Sequence, residues 1–87
     1  MSYEIQILPK ATRQLKSLSI GVRQEVSRAI KSLADEPRSI GVKKLSGEKD
    51  IYRVRVGNYR VLYQIIDKVL VIVVVSVGHR REVYRDR

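Results

Sequence analysis

The 87-residue chain is long enough for one domain, read here as spanning residues 1–87, and too short for a second. It has no cysteine, which excludes disulfides and thiolate metal sites, and its single histidine, His79, cannot by itself build a zinc site. The 18 Lys and Arg residues against 9 acids give a formal charge of +9, an excess that favours polyanionic or acidic partners.

Eleven of the basic residues are arginine, and the charge is spread along the chain rather than held in a tail. Residues 1–43 carry 8 basic and 4 acidic groups, and residues 44–87 carry 10 and 5, the pattern of a charged folded domain. The start, MSYEIQILPK, shows no charged leader followed by an apolar stretch, so no signal peptide is expected. The longest apolar run, Val69 to Val77, is far shorter than a membrane span. Together with the absence of cysteine, this gives a cytoplasmic expectation with no membrane partner.

In chain order, Tyr3, Ile5 and Ile7 alternate with Glu4 and Gln6, predicting a short strand with one buried face. Pro9 suits the first turn of a helix, where its missing N–H costs nothing. Leu8, Ala11, Leu15 and Leu18 then recur at helical spacing, with Lys10, Arg13 and Lys16 on another face, so a helix is expected over Pro9 to Leu18. Ser19-Ile20-Gly21 breaks it, with Ser19 as candidate N-cap of the next helix. Val22, Val26, Ala29, Ile30 and Leu33 form the second apolar stripe, and Pro37 is expected to stop that helix. The short break predicts an antiparallel helix pair.

Arg38 to Asp50 reads as a mixed loop anchored by Leu45. Three strands are expected after it: Ile51 to Val56, Tyr59 to Ile66 and Val69 to Val77. Gly57-Asn58 and Asp67-Lys68 separate them as two-residue hairpin turns. The last strand is apolar on both faces, which places it inside the sheet, and Gly78 to Arg87 is left as a charged tail. The expected fold is α+β in two layers: an N-terminal strand, an antiparallel helix pair, then a three-stranded antiparallel meander completing one mainly antiparallel sheet.

Strand alternation makes a sharp statement about the charges. Tyr52, Val54 and Val56 share one face of their strand, as do Tyr59, Val61, Tyr63 and Ile65 of the next. If apolar faces pair, Arg53, Arg55 and Arg60 converge on the other side. Clustered guanidinium groups repel unless an anion sits among them, and arginine binds phosphate through paired hydrogen bonds. Charges that merely protect an edge hairpin need not all be positive and on one face. The second dense segment is Gly78-His79-Arg80-Arg81-Glu82-Val83-Tyr84-Arg85. RNA cleavage by the neighbouring 2′-hydroxyl needs a base, cations for the crowded phosphorane and help for the leaving 5′-oxygen. Histidine exchanges protons near neutral pH, and tyrosine can stack on a base.

The segments Ile51-Tyr52-Arg53-Val54-Arg55-Val56-Gly57-Asn58-Tyr59-Arg60-Val61-Leu62-Tyr63 and Val77-Gly78-His79-Arg80-Arg81-Glu82-Val83-Tyr84 resemble the RelE toxins of the RelE/ParE superfamily. Element order and Lys44-Leu45-Ser46-Gly47 before the hairpin fit as well. The resemblance covers nearly the whole chain. It implies a toxin of a type II toxin–antitoxin system, a metal-free and cofactor-free endoribonuclease that cuts messenger RNA in the ribosomal A site and so inhibits translation. It assigns the family's hairpin pair to Arg53 and Arg55, its second-strand arginine to Arg60, its post-strand arginine to Arg80 (Arg81 if a gap shifts the tail) and its C-terminal tyrosine to Tyr84. Arg53, Arg55, Arg60, Arg81 and Arg85 are the expected RNA-binding set, and His79 the candidate acid–base group. The resemblance also implies an acidic antitoxin as partner, with operator DNA reached only through that complex.

One departure matters. The best-known members carry lysine at the hairpin pair, and lysine can act as a base where arginine effectively cannot. Arg53 and Arg55 are therefore expected to clamp and stabilise phosphate. The alternatives are a ParE-like toxin acting on DNA gyrase and an inactive RNA-binding family member. A simple DNA-binding module is not supported, because no helix-turn-helix spacing with readout residues is present.

Overall fold

The computed structural model describes residues 2–38, 43–44 and 51–79. The elements are β1 (Glu4–Ile7), α1 (Pro9–Lys16), α2 (Ile20–Ser32), β2 (Lys43–Lys44), β3 (Ile51–Val56), β4 (Tyr59–Ile66), a 3₁₀ turn (Asp67–Val69) and β5 (Val71–His79). They form one five-stranded sheet in the order β1-β5-β4-β3-β2. The meander is antiparallel throughout, and β1 joins β5 in parallel. The interior position expected for the last strand is borne out: β5 lies between β1 and β4.

One face of this sheet carries the helices. Ala11 of α1, Val26 and Ile30 of α2, and Leu33 pack with Val61, Tyr63, Ile65, Ile72, Val74 and Val77 in a single apolar cluster. Tyr52, Val54, Val56 and Tyr59 pack against it from the same side of the hairpin, as the alternation requires. The fold is thus the expected two-layer α+β arrangement.

Several boundaries differ from the sequence expectation, each for a local reason. α1 ends at Lys16, with the Ser17 N–H closing onto Arg13 and Gln14 carbonyls. Leu8 is 41% exposed because it precedes the helix and does not join its buried stripe. Ser19 stands at the N-cap of α2, yet its side chain makes no capping bond. α2 ends at Ser32, before Pro37, because the backbone tightens into i→i+3 bonds at Leu33, Ala34 and Asp35.

The loop expected from Arg38 to Asp50 contains the short β2, whose Lys43 pairs with Arg53 and Lys44 with Tyr52. Leu45 lies outside the described residues. Gly57-Asn58 forms the expected two-residue turn, with Gly57 at φ +61°. The Asp67-Lys68 turn is longer than two residues. Ile66 pairs with Val71, and Leu70 takes a left-handed φ of 55° to close the turn. Val69 is consequently 64% exposed, and β5 begins and ends two residues later than the apolar run suggests.

Candidate phosphate-binding face

The face of the sheet opposite the helices carries the arginines. Register places Arg55 directly opposite Arg60, and Arg60 in turn opposite Gly78 of β5. One row along, Arg53 lies opposite Leu62, and Leu62 opposite Ser76. The predicted convergence of Arg53, Arg55 and Arg60 on one side is therefore present. The tight Gly57-Asn58 turn holds it in place by fixing the hairpin register.

The three side chains are not equivalent. Arg55 is exposed and its Nε donates to the Gly57 carbonyl at 3.1 Å. Arg60 is half-buried; its Nη1 makes only a long 3.5 Å bond to the Tyr59 carbonyl, and its Nε is buried without an acceptor. Gly78 carries no side chain opposite Arg60, which leaves room on β5 for a guanidinium. Leu62 is buried yet outside the core cluster, an apolar member of the Arg53 row two residues along β4 from Arg60. Among the described residues, neither Arg55 nor Arg60 meets a carboxylate. Like charges directly opposed across two strands destabilise the pair. Two directly opposed guanidinium groups are an arrangement that an incoming oxyanion would stabilise through their outer nitrogens.

A second polar construction stands at the other end of the sheet, around Asp67. Asp67 receives hydrogen bonds from Arg38 Nη2 (2.9 Å), Arg38 Nη1 (3.3 Å) and the Tyr3 hydroxyl (2.7 Å). The Arg38 bonds, then that of Tyr3, hold the Asp67 carboxyl below its ordinary range. The same bond to Asp67 raises Tyr3. Arg38 Nε also donates to the Tyr52 hydroxyl at 3.2 Å, with the guanidinium 5.3 Å from the Tyr52 ring centre. Beneath it, Tyr63 stacks on Tyr52, and its hydroxyl donates to the Pro37 carbonyl at 2.6 Å. Burial pushes Tyr63 well above the usual tyrosine range. This clasp fixes the start of the 38–50 segment against the sheet.

His79 is placed differently from the arginines. It is the last residue of β5, pairs with Tyr59, and its ring meets Tyr59 edge-on at 5.8 Å. Tyr59 belongs to the helix-bearing face, so the structure does not bring His79 onto the face of Arg55 and Arg60. The cause is a bulge in β5: Leu62 pairs with Ser76 but Tyr63 with Val74, so Val75 is supernumerary and the alternation changes phase. Arg80, Arg81, Tyr84 and Arg85 lie outside the described residues. No group of three potential metal ligands gathers among the described residues. No helix among them is long and apolar enough to cross a membrane.

Sequence reasoning missed one polar contact on this strand. Gln14 of α1 accepts hydrogen bonds at Oε1 from the Val77 N–H (2.7 Å) and the Ser76 hydroxyl (3.3 Å). Nothing in the sequence marks Gln14, since a single glutamine in an amphipathic helix reads as solvent-facing.

Comparison with known proteins supplies what geometry alone does not. Residues 5–84 match the family model described as the ParE toxin of the type II toxin–antitoxin system parDE. The mRNA interferase toxin RelE of Escherichia coli K12 is 32% identical over 90 residues, covering 99% of this chain and 94% of the relative. Among solved structures, the toxin–antitoxin complex RelBE2 from Mycobacterium tuberculosis superposes with a TM-score of 0.83 at 29% identity, over 92% of this chain and 100% of that one. The archaeal RelE–RelB complex from Pyrococcus horikoshii gives a TM-score of 0.79 at 30% identity, over 92% and 97% of the two chains.

Proposed function

Since the chain belongs to the RelE/ParE family of type II toxin–antitoxin toxins, we propose that it is an mRNA interferase of the RelE kind, cutting messenger RNA in the ribosomal A site. The observation that carries this reading is the Arg55–Arg60 pair, directly opposed across the hairpin with no carboxylate on either among the described residues. A phosphate group bound by the outer guanidinium nitrogens would relieve that repulsion.

The chemistry follows from charge. Attack of the 2′-oxygen on the adjacent phosphate builds negative charge on a five-coordinate phosphorus, and preorganised donors aimed at that charge lower the barrier. Arg60, fixed between β3 and β5, takes the stabilising role; Arg53 and Arg55 clamp the backbone. Arginine cannot accept the 2′-proton. Arg80, Arg81, Tyr84 and Arg85 complete the proposed set of functional residues, with Tyr84 assigned to stack on a base. The acid–base role assigned to His79 requires RNA to reach round the end of β5, and His79→Ala in a single-turnover assay decides it: retention of the full rate removes His79 from the chemistry. The reaction uses no metal or cofactor.

The proposed partner in the resting state is an acidic antitoxin, consistent with the +9 charge and with the RelE relatives solved as complexes with RelB. Contact with operator DNA would come through that complex. The direct experiment adds the purified protein to programmed ribosomes and maps new 5′-ends. Cuts in register with the A-site codon support the interferase. No cuts together with blocked gyrase supercoiling would reassign the chain to the gyrase-directed branch, and ribosome binding without cutting would make it an inactive relative.

A further inference from the structure

β5 outruns its neighbour. β1 pairs only with Val71 to Val74, and the chain then leaves the sheet: the Leu8 N–H bonds the Val74 carbonyl at 3.0 Å and Pro9 opens α1. Beyond that point β5 continues for five residues, Val75 to His79, and among the described residues it pairs with β4 on one side only. The bulge at Val75 falls at the start of this half-paired stretch. Its backbone is nevertheless buried, with Ser76 3% and Val77 0% exposed, so a bare N–H there would have neither strand nor water as partner.

We propose that Gln14 is a positioning residue for the arginine face: its side-chain carbonyl replaces the absent strand and holds the bulged end of β5 where Gly78 faces Arg60. The geometry is specific. A single oxygen accepts both the Val77 N–H at 2.7 Å and the Ser76 hydroxyl at 3.3 Å, using both of its lone pairs. Both donors lie between the bulge and Gly78. α1 packs directly on β5, so the amide is carried by a rigid element. Loss of this acceptor leaves the bulge without a lock, and the strand end can slide relative to Arg60. An error of about an ångström at a reacting centre costs far more in rate than in binding.

The rate arm of the test rests on the ribonuclease reading, and the exchange arm does not. Three variants are compared with the wild type: Gln14→Leu, which removes the acceptor, Gln14→Asn, which shortens its reach, and Gln14→Glu, whose carboxylate accepts both bonds. Amide exchange at Val77 should speed up about tenfold in the Leu and Asn variants, with α2 and β3 amides unchanged. On programmed ribosomes, single-turnover cleavage should fall roughly 10- to 100-fold in those variants while apparent affinity changes less than about threefold. Gln14→Glu should recover most of both. If Gln14→Leu does not fold, Gln14→Asn and Gln14→Glu carry the same comparison. Unchanged Val77 protection overturns the clamp. Faster exchange with an undiminished rate, or rate and affinity falling together, overturns the positioning role. If the wild type cuts no RNA, the ribonuclease reading and the role in cleavage fall together, and Val77 exchange still decides whether Gln14 locks the strand.

Discussion

Replacing Arg60 by methionine should stabilise the protein and disable it at once. The stability gain has two sources. Arg60 Nε is buried with no acceptor, and an unsatisfied buried donor costs about 1–3 kcal/mol. Arg60 also opposes Arg55 directly. Two unit charges about 7 Å apart in a water-like dielectric repel by about 0.6 kcal/mol before salt screening, which sets the scale of this second source. Methionine keeps an unbranched apolar stem over the sheet, so packing loss is small. The net expectation is a gain of about 1–3 kcal/mol, and each kcal/mol raises Tm by roughly 4–8 °C in a domain of this size. Removal of a charge-stabilising donor should slow cleavage about 10²–10³-fold. Thermal melting and single-turnover cleavage are the paired measurements. A Tm that drops by several degrees with cleavage intact would show that Arg60 serves the fold, and the reasoning would be refuted.

Other consequences concern the opposite end of the sheet and the hairpin cations. Tyr63→Phe deletes the bond to the Pro37 carbonyl and should cost about 1–2 kcal/mol by denaturant titration, with cleavage per folded molecule unchanged. Asp67, held low chiefly by Arg38, contributes stability above the ordinary carboxylate range that is lost as pH falls through its lowered folded value. Asp67→Asn should therefore flatten the acid limb of a stability–pH profile; an unchanged limb contradicts the clasp. Tyr3 and Tyr63 are raised, the first chiefly by its bond to Asp67 and the second by burial. Their contribution is present below the ordinary tyrosine range and lost as pH rises through the folded values. Tyr63→Phe should accordingly weaken the alkaline limb. Arg55→Lys keeps the charge but loses the planar fork, so ribosome affinity should weaken about three- to tenfold with no new alkaline rise in rate. Such a rise would mean that this position can act as a base.

The hairpin was readable in advance because two periodicities meet across a turn that fixes register. With Gly57-Asn58 setting Val56 against Tyr59, alternation alone puts Arg53, Arg55 and Arg60 on one side. The same rule fails on β5. Val71 to Val77 is nearly uniform in character, so nothing marks the supernumerary Val75, and the phase of every later residue shifts. That shift sets His79 beside Tyr59 rather than beside Arg60. β2 is two residues long, too short to leave a pattern. Gln14 was invisible because its role depends on where β1 stops, a tertiary fact.

Under the proposed function, the arginine face of β3 and β4 performs phosphate chemistry on ribosome-bound message. The most direct measurement is the single-turnover cleavage rate of wild type and the Arg53→Gln/Arg55→Gln/Arg60→Gln variant on the same programmed ribosomes, with both proteins shown to be folded. The wild type should give codon-registered cuts, and the variant a rate reduced at least about 10³-fold. A folded variant that cuts at the wild-type rate would contradict that role of the arginine face.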